Sequence, residues 1–209
     1  MGITDNFIIP KYASLVGDYV NKNLKPGDKI AWLGQQQKNK YSAMFKIIER
    51  SIEVENLEHH FYDIENDDDP PINNKWDVHD DWKGTIEGYD LVLGIRIAYL
   101  VQSSSGLIKN LQYATENNKK VLFDFNTGNL TWLGNDHVLQ SWPDGSTNLI
   151  PDFKEVTANN LKIEYKVHSK DNLFSSEMLA AAGLELKDSI IFRDPVKGRF
   201  YILAEIVNK

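Results

Sequence analysis

The spacing of apolar residues divides the chain into segments of two alternating periods. Tyr12, Leu15, Val16, Tyr19 and Val20 recur at helical spacing between Pro10 and Lys22, and Lys25-Pro26-Gly27-Asp28 reads as a turn before a strand over Lys29 to Gly34. A polar stretch, Gln35 to Lys40, leads into a second helix over Tyr41 to Val54 that buries Met44, Phe45, Ile47, Ile48 and Ile52. A strand follows at His59 to Ile64. The aspartate run and the Pro70-Pro71 pair between Glu65 and Asn74 predict a surface loop, with a short strand next, near Trp76 to Val78. Tyr89 to Leu93 is the most apolar strand, and Gly94 to Val101 turns from it towards a helix over Ser105 to Glu116, which Asn117-Asn118 caps before the strand Val121 to Phe125.

The last third changes character. Thr127 to Pro151 is rich in Gly, Asn, Asp and Trp, so an irregular insertion is expected near residues 127–160. Leu161 to Val167 reads as a strand and Ser175 to Ala182 as a helix. Leu186 to Phe192 and Arg199 to Val207 read as an antiparallel hairpin around Asp194 to Gly198. Helix and strand alternate through most of the chain, which predicts an α/β fold with a Rossmann-like, mostly parallel sheet and a C-terminal antiparallel hairpin.

A chain of 209 residues fits a single domain with a full core. No run is apolar for long enough to cross a bilayer; Leu91 to Val101 is short and carries Arg96. The N-terminus lacks a basic start and an apolar run, so the cytoplasm is the expected compartment. With no cysteine, disulfides, thiolate zinc sites and cysteine nucleophiles are excluded. A net charge of −7 opposes binding of nucleic acid through its phosphates, and the lysines are scattered over what reads as a solvated face.

Metal and hydrolase chemistry find no motif. His59 and His60 alternate across a strand and face opposite ways, and Asp67-Asp68-Asp69 lacks the glycine and terminal Glu of a calcium loop. Ser103-Ser104-Ser105-Gly106 is not a nucleophile elbow. What stands out instead lies at strand ends, where open α/β sheets receive ligands. The glutamines after Gly34 present amide donors and acceptors there, or serve as a polar connector. Arg96, beside apolar strand residues, needs an anionic or acceptor partner, either a bound molecule or an internal carboxylate such as Asp124. Trp132 and Trp142, near Asp136, His137 and Asp144, form either a lid or a satellite core.

The order of elements resembles the class I S-adenosylmethionine-dependent methyltransferases across most of the chain. The likeness is carried by Gly88-Tyr89-Asp90-Leu91-Val92-Leu93-Gly94, by Leu107 to Phe125, and by the ending from Ala182-Gly183-Leu184-Glu185 through Phe200 to Glu205. In that family an acidic residue, an apolar residue and a Gly-x-Gly-x-Gly loop follow the first strand, letting the backbone approach the cofactor. Here the loop reads Trp32-Leu33-Gly34-Gln35-Gln36-Gln37-Lys38: Gly34 remains, Trp32 stands in the acidic position, and Gln36 and Lys38 replace the later glycines.

The resemblance implies S-adenosylmethionine as cofactor and a methyl acceptor, small molecule or macromolecule, as partner. It assigns Gly34, Gln35 and Gln36 to the cofactor loop and Asp63 to the ribose hydroxyls. Asp80 and Trp82 fall to the adenine, and Gly94, at the end of the fourth strand, also to the cofactor. Arg96, Tyr99, Asp124 and Asn126 fall on the acceptor side, with Tyr99, Asp124 or His137 as the base where the acceptor must lose a proton. The missing glycines support an alternative: a noncatalytic protein of the same fold that binds or scaffolds, as a homodimer among other forms.

Overall fold

The computed structural model describes residues 5–35, 43–66, 72–98, 103–134, 137–141, 147–150, 165–166, 173–174, 176–193 and 199–209. Its elements are α1 (Asp5–Asn23), β1 (Lys29–Leu33), α2 (Ala43–Glu49), β2 (Glu58–Asp63), β3 (Asn73–Lys75), β4 (Leu91–Gly94), α3 (Ser104–Asn117), β5 (Val121–Gly134), β6 (His137–Ser141), β7 (Thr147–Ile150), β8 (Tyr165–Lys166), β9 (Leu173–Phe174), α4 (Ser176–Ala181), β10 (Leu184–Arg193) and β11 (Arg199–Asn208).

One sheet has the strand order β10-β11-β5-β4-β1-β2-β3. The five strands from β5 to β3 run parallel, and β11 and β10 are antiparallel to their neighbours. The parallel part is buried on both faces, which is why β1 and β4 read as nearly unbroken apolar runs. On one face Tyr12, Val16 and Val20 of α1 and Phe45 and Ile48 of α2 pack on Ile30, Trp32 and Leu93. On the other, Leu107, Ile108 and Leu111 of α3 pack with Val92, Phe123 and Trp82.

Local chemistry sets several boundaries. Gly27, at φ +88, lets the Lys25–Asp28 turn close, and the Asp28 carboxylate accepts the Lys25 N–H at 3.0 Å. The Ser103 hydroxyl caps α3 by accepting the Gly106 N–H at 3.2 Å, one residue earlier than the pattern predicts. At the far end Asn118 donates through its side chain to the Ala114 carbonyl, 2.9 Å away. Helix α2 is shorter than expected because the chain turns at Arg50–Ser51, where α1 passes close: a β-carbon on Gly17 would lie 2.6 Å from Ser51 Cβ.

Two expectations are corrected. The strand expected near Trp76 to Val78 forms three residues earlier, as β3, because Asn73 to Lys75 pair with Phe61 to Asp63 and Trp76 is left to enter the core. The stretch expected to be irregular forms strands as far as Ile150. The chain of β5 runs on past the parallel sheet, β6 pairs with its distal half, and β7 pairs with β6. Composition misled here because the polar and glycine residues of an antiparallel extension resemble those of a loop. Residues 151–164 lie outside the described residues. No described helix is long and apolar enough to cross a membrane.

Candidate functional site

Strand β1 pairs with β2 on one side and β4 on the other, and β4 pairs with β5 beyond, so the connections leaving β1 and leaving β4 diverge at their carboxyl ends. Leu33 is level with Tyr62 and Gly94, and the chain leaves β1 one residue further on, at Gly34. There Gly34 adopts φ +67 and donates its N–H to the Tyr62 carbonyl at 2.7 Å; the Gln35 N–H meets the same oxygen at 3.3 Å. Gln35 is buried. The left-handed backbone favours glycine, and so does packing, because a β-carbon on Gly34 would collide with Ile97 Cγ2. Ile97, buried after β4, covers that face of Gly34.

At the end of β2 the Asp63 carboxylate accepts the Glu65 N–H at 2.9 Å, and its carbonyl accepts the N–H of Trp76 at 3.1 Å. Asn66, buried, donates its side-chain amide to the Phe61 and Asn74 carbonyls, each at 3.2 Å, and lies 3.5 Å from the Gln35 carbonyl. One amide thus ties together the ends of β1, β2 and β3. The sequence gives no signal for it beyond an Asn at the head of a polar loop.

Asp80 is exposed, and its carbonyl accepts from Asn110 at 2.9 Å. Trp82, by contrast, is 0 % exposed, its ring 5.4 Å from Trp76 and 6.1 Å from Phe123. It is a core residue, not one open to a ligand's ring as expected. Asn110 also accepts the Trp82 N–H at 3.3 Å, which fixes the segment to α3. The indole N–H groups of Trp76 and Trp82 are buried with no acceptor among the described residues. Gly94 is required by packing, since a β-carbon there would run into the Phe123 ring.

Trp32, in the position where an acid was compared, is buried; it donates to His59 Nδ1 at 2.9 Å and meets Phe45 edge-on. Burial lowers the pKa of His59, in keeping with a neutral ring that accepts. His60 lies on the opposite face, 3.1 Å from the Tyr89 hydroxyl, as strand alternation predicts.

Arg96 and Asp124 do come together. Arg96 has a left-handed backbone at φ +59, and its N–H donates to Asp124 Oδ1 at 2.5 Å. The other oxygen of Asp124 accepts from the Tyr12 hydroxyl of α1 in a short hydrogen bond. Burial pushes the Asp124 carboxyl up to about 6, opposed by the Tyr12 bond, the Arg96 amide and the Arg96 charge. The Tyr12 hydroxyl is raised well above its usual range by burial and by Asp124. This hydrogen bond is made by the Arg96 backbone amide, whereas the sequence expectation concerned its guanidinium. Tyr12 and Ile97 were legible only as core residues, and their spacing carries no other mark. Gln36 and Tyr99 lie outside the described residues, and the side chains of Asn126, Trp132 and His137 are likewise not described.

No family model matches the sequence, and no curated protein matches it. Solved structures do match. The magnesium protoporphyrin IX methyltransferase of Synechocystis PCC 6803, solved with bound S-adenosylmethionine, is 9 % identical with a TM-score of 0.50, the match covering 100 % of this chain and 85 % of that one. The N-methyltransferase NodS of Bradyrhizobium japonicum WM9, in complex with S-adenosylhomocysteine, is 8 % identical, TM-score 0.50, covering 99 % and 88 %. The glycopeptide N-methyltransferase MtfA, complexed with S-adenosylmethionine, is 10 % identical, TM-score 0.50, covering 94 % of each chain. At these identities it is the fold that is shared, and the chain has the mixed α/β, Rossmann-like fold of these methyltransferases.

Proposed function

We propose that the protein binds S-adenosylmethionine at the carboxyl ends of β1 and β4 and transfers its methyl group to an acceptor, a small molecule or a macromolecule. The observation that carries this reading is the placement of Gly34 and Asp63 at neighbouring strand ends beside the switch point, where Leu33 and Tyr62 are level. The three similar structures described above, each solved with the cofactor or its product, support it.

The nucleoside half of the cofactor fits the residues present. Asp63 offers carboxylate oxygens to a ribose diol. Asp80 is an exposed acid for an amino group. Gly34, Gln35 and Gln36 would hold the methionine half, with Gly94 beneath it and Arg96 and Tyr99 towards the acceptor. When bound, S-adenosylmethionine supplies a methyl group on a positively charged sulfur, displaced in line by an acceptor lone pair. The chain's part is to align the two and exclude water.

A second reading, a noncatalytic binding or scaffolding protein, is favoured by one observation: Ile97 lies over the face of Gly34. Titration calorimetry with S-adenosylmethionine and S-adenosylhomocysteine separates the two. The methyltransferase reading predicts micromolar binding, weakened about tenfold or more in Asp63→Ala, as expected for hydrogen bonds to a charged acceptor. Absence of binding for both ligands at millimolar concentration supports the second reading.

A further inference from the structure

The contacts around Asp124 form a continuous path from the N-terminal helix to Gly34 at the end of β1. Tyr12, at 0 % exposure on α1, donates to one carboxylate oxygen, and the Arg96 N–H donates to the other. Arg96 is held in a left-handed conformation that a non-glycine residue adopts at a cost of about 1 kcal/mol or more. The next residue is Ile97, which lies on Gly34. A strained turn persists when its surroundings hold it, and the group that accepts its N–H here is Asp124.

We propose that Asp124 is a positioning residue that acts as a latch: it fixes the Arg96 turn so that Ile97 covers Gly34, and through Tyr12 it couples that cover to the docking of α1. Residues 95–98 and the N-terminal helix then loosen or tighten together. This role differs from contact with an acceptor, because Asp124 is 3 % exposed and both its oxygens are engaged by the protein. The latch bears on ligand entry if the end of β1 is the cofactor site proposed above, but the mechanical coupling is a property of the protein alone.

Hydrogen exchange of the unliganded full chain, read by mass spectrometry, tests it. In Asp124→Ala, α1 and residues 95–98 are both expected to exchange about tenfold faster, the scale of losing a hydrogen bond to a charged acceptor, while β2 stays unchanged. Asp124→Asn keeps an oxygen for the Arg96 N–H and restores residues 95–98 to within about twofold of wild type. Tyr12→Phe keeps the ring and the fold and speeds both α1 and residues 95–98; together with Asp124→Asn it decides the matter if the alanine variant does not fold. Unchanged exchange at 95–98 in Asp124→Ala, acceleration of α1 alone in Tyr12→Phe, or equal acceleration of every segment would each overturn the latch. S-adenosylhomocysteine added to wild type should slow exchange in α1 as well as at 95–98. Failure of that ligand to bind counts against the proposed function, while the unliganded comparison still decides the latch.

Discussion

Two requirements meet at Gly34: a left-handed backbone and a face closed by Ile97. Either one disfavours a side chain, and they can be separated. Gly34→Ala is expected to lower stability by about 2–4 kcal/mol, from backbone strain and overpacking together. Ile97→Ala removes the collision without touching the backbone, so Gly34→Ala in that background should cost at least about 1 kcal/mol less in denaturant unfolding. Additive losses would mean that Ile97 does not press on Gly34. Residue chemistry of this kind was only partly legible. The pattern marked Gly34 because one glycine of a familiar loop remained, yet Ile97 looked like any apolar residue after a strand. Trp82 illustrates the converse: its place in the sequence suggested a ligand's neighbour, while its 0 % exposure comes from contacts with Phe123 and Trp76 that no local pattern announces.

Elements are joined by buried polar side chains as much as by their apolar faces. Tyr12 and Tyr19 lie two turns apart on α1 and reach Asp124 on β5 and Glu205 on β11, the latter at 2.7 Å. The segment between β3 and β4 has no regular structure, but Asn110 and Asn118 of α3 and its C-cap hold it. Helical spacing revealed α1 and α3; it could not reveal that a tyrosine on the buried face would seek a carboxylate from a strand more than a hundred residues away. The α1–β5 joint has a consequence in pH. Tyr12 from α1 and Arg96 from the turn face Asp124, and Tyr201 from β11 lies against Tyr12; the Asp124 carboxyl is pushed up to about 6 by burial, above the ordinary 3.8. Between those values the folded protein holds a proton that the unfolded chain has released. The Asp124 contribution to stability therefore grows as pH falls from 7 through 6 towards 4. Measured as the difference between wild type and Asp124→Asn in chemical unfolding, it should favour wild type increasingly in acid, with a slope of at most about 1.4 kcal/mol per pH unit. A difference flat across this range would contradict the burial of the charge.

At the scale of the molecule, the mostly parallel α/β sheet was readable because its central strands are buried on both faces and helical and strand periods alternate along the chain. The final hairpin was readable from its paired strands and the turn between them. The antiparallel extension of β5 through β7 was not, since strands of that kind owe their form to partners rather than to their own apolar content. The end of β1 is flanked by β2 and β4, and the central claim is that an adenosyl ligand binds there. Titrating isotope-labelled protein with S-adenosylhomocysteine while following backbone amide resonances tests this most directly. The account predicts saturable shifts at Gly34, Gln35, Ile64 and Ile95, with β10 and β11 unaffected. Unchanged signals at all four residues at millimolar ligand, or shifts confined to another face of the sheet, would contradict it.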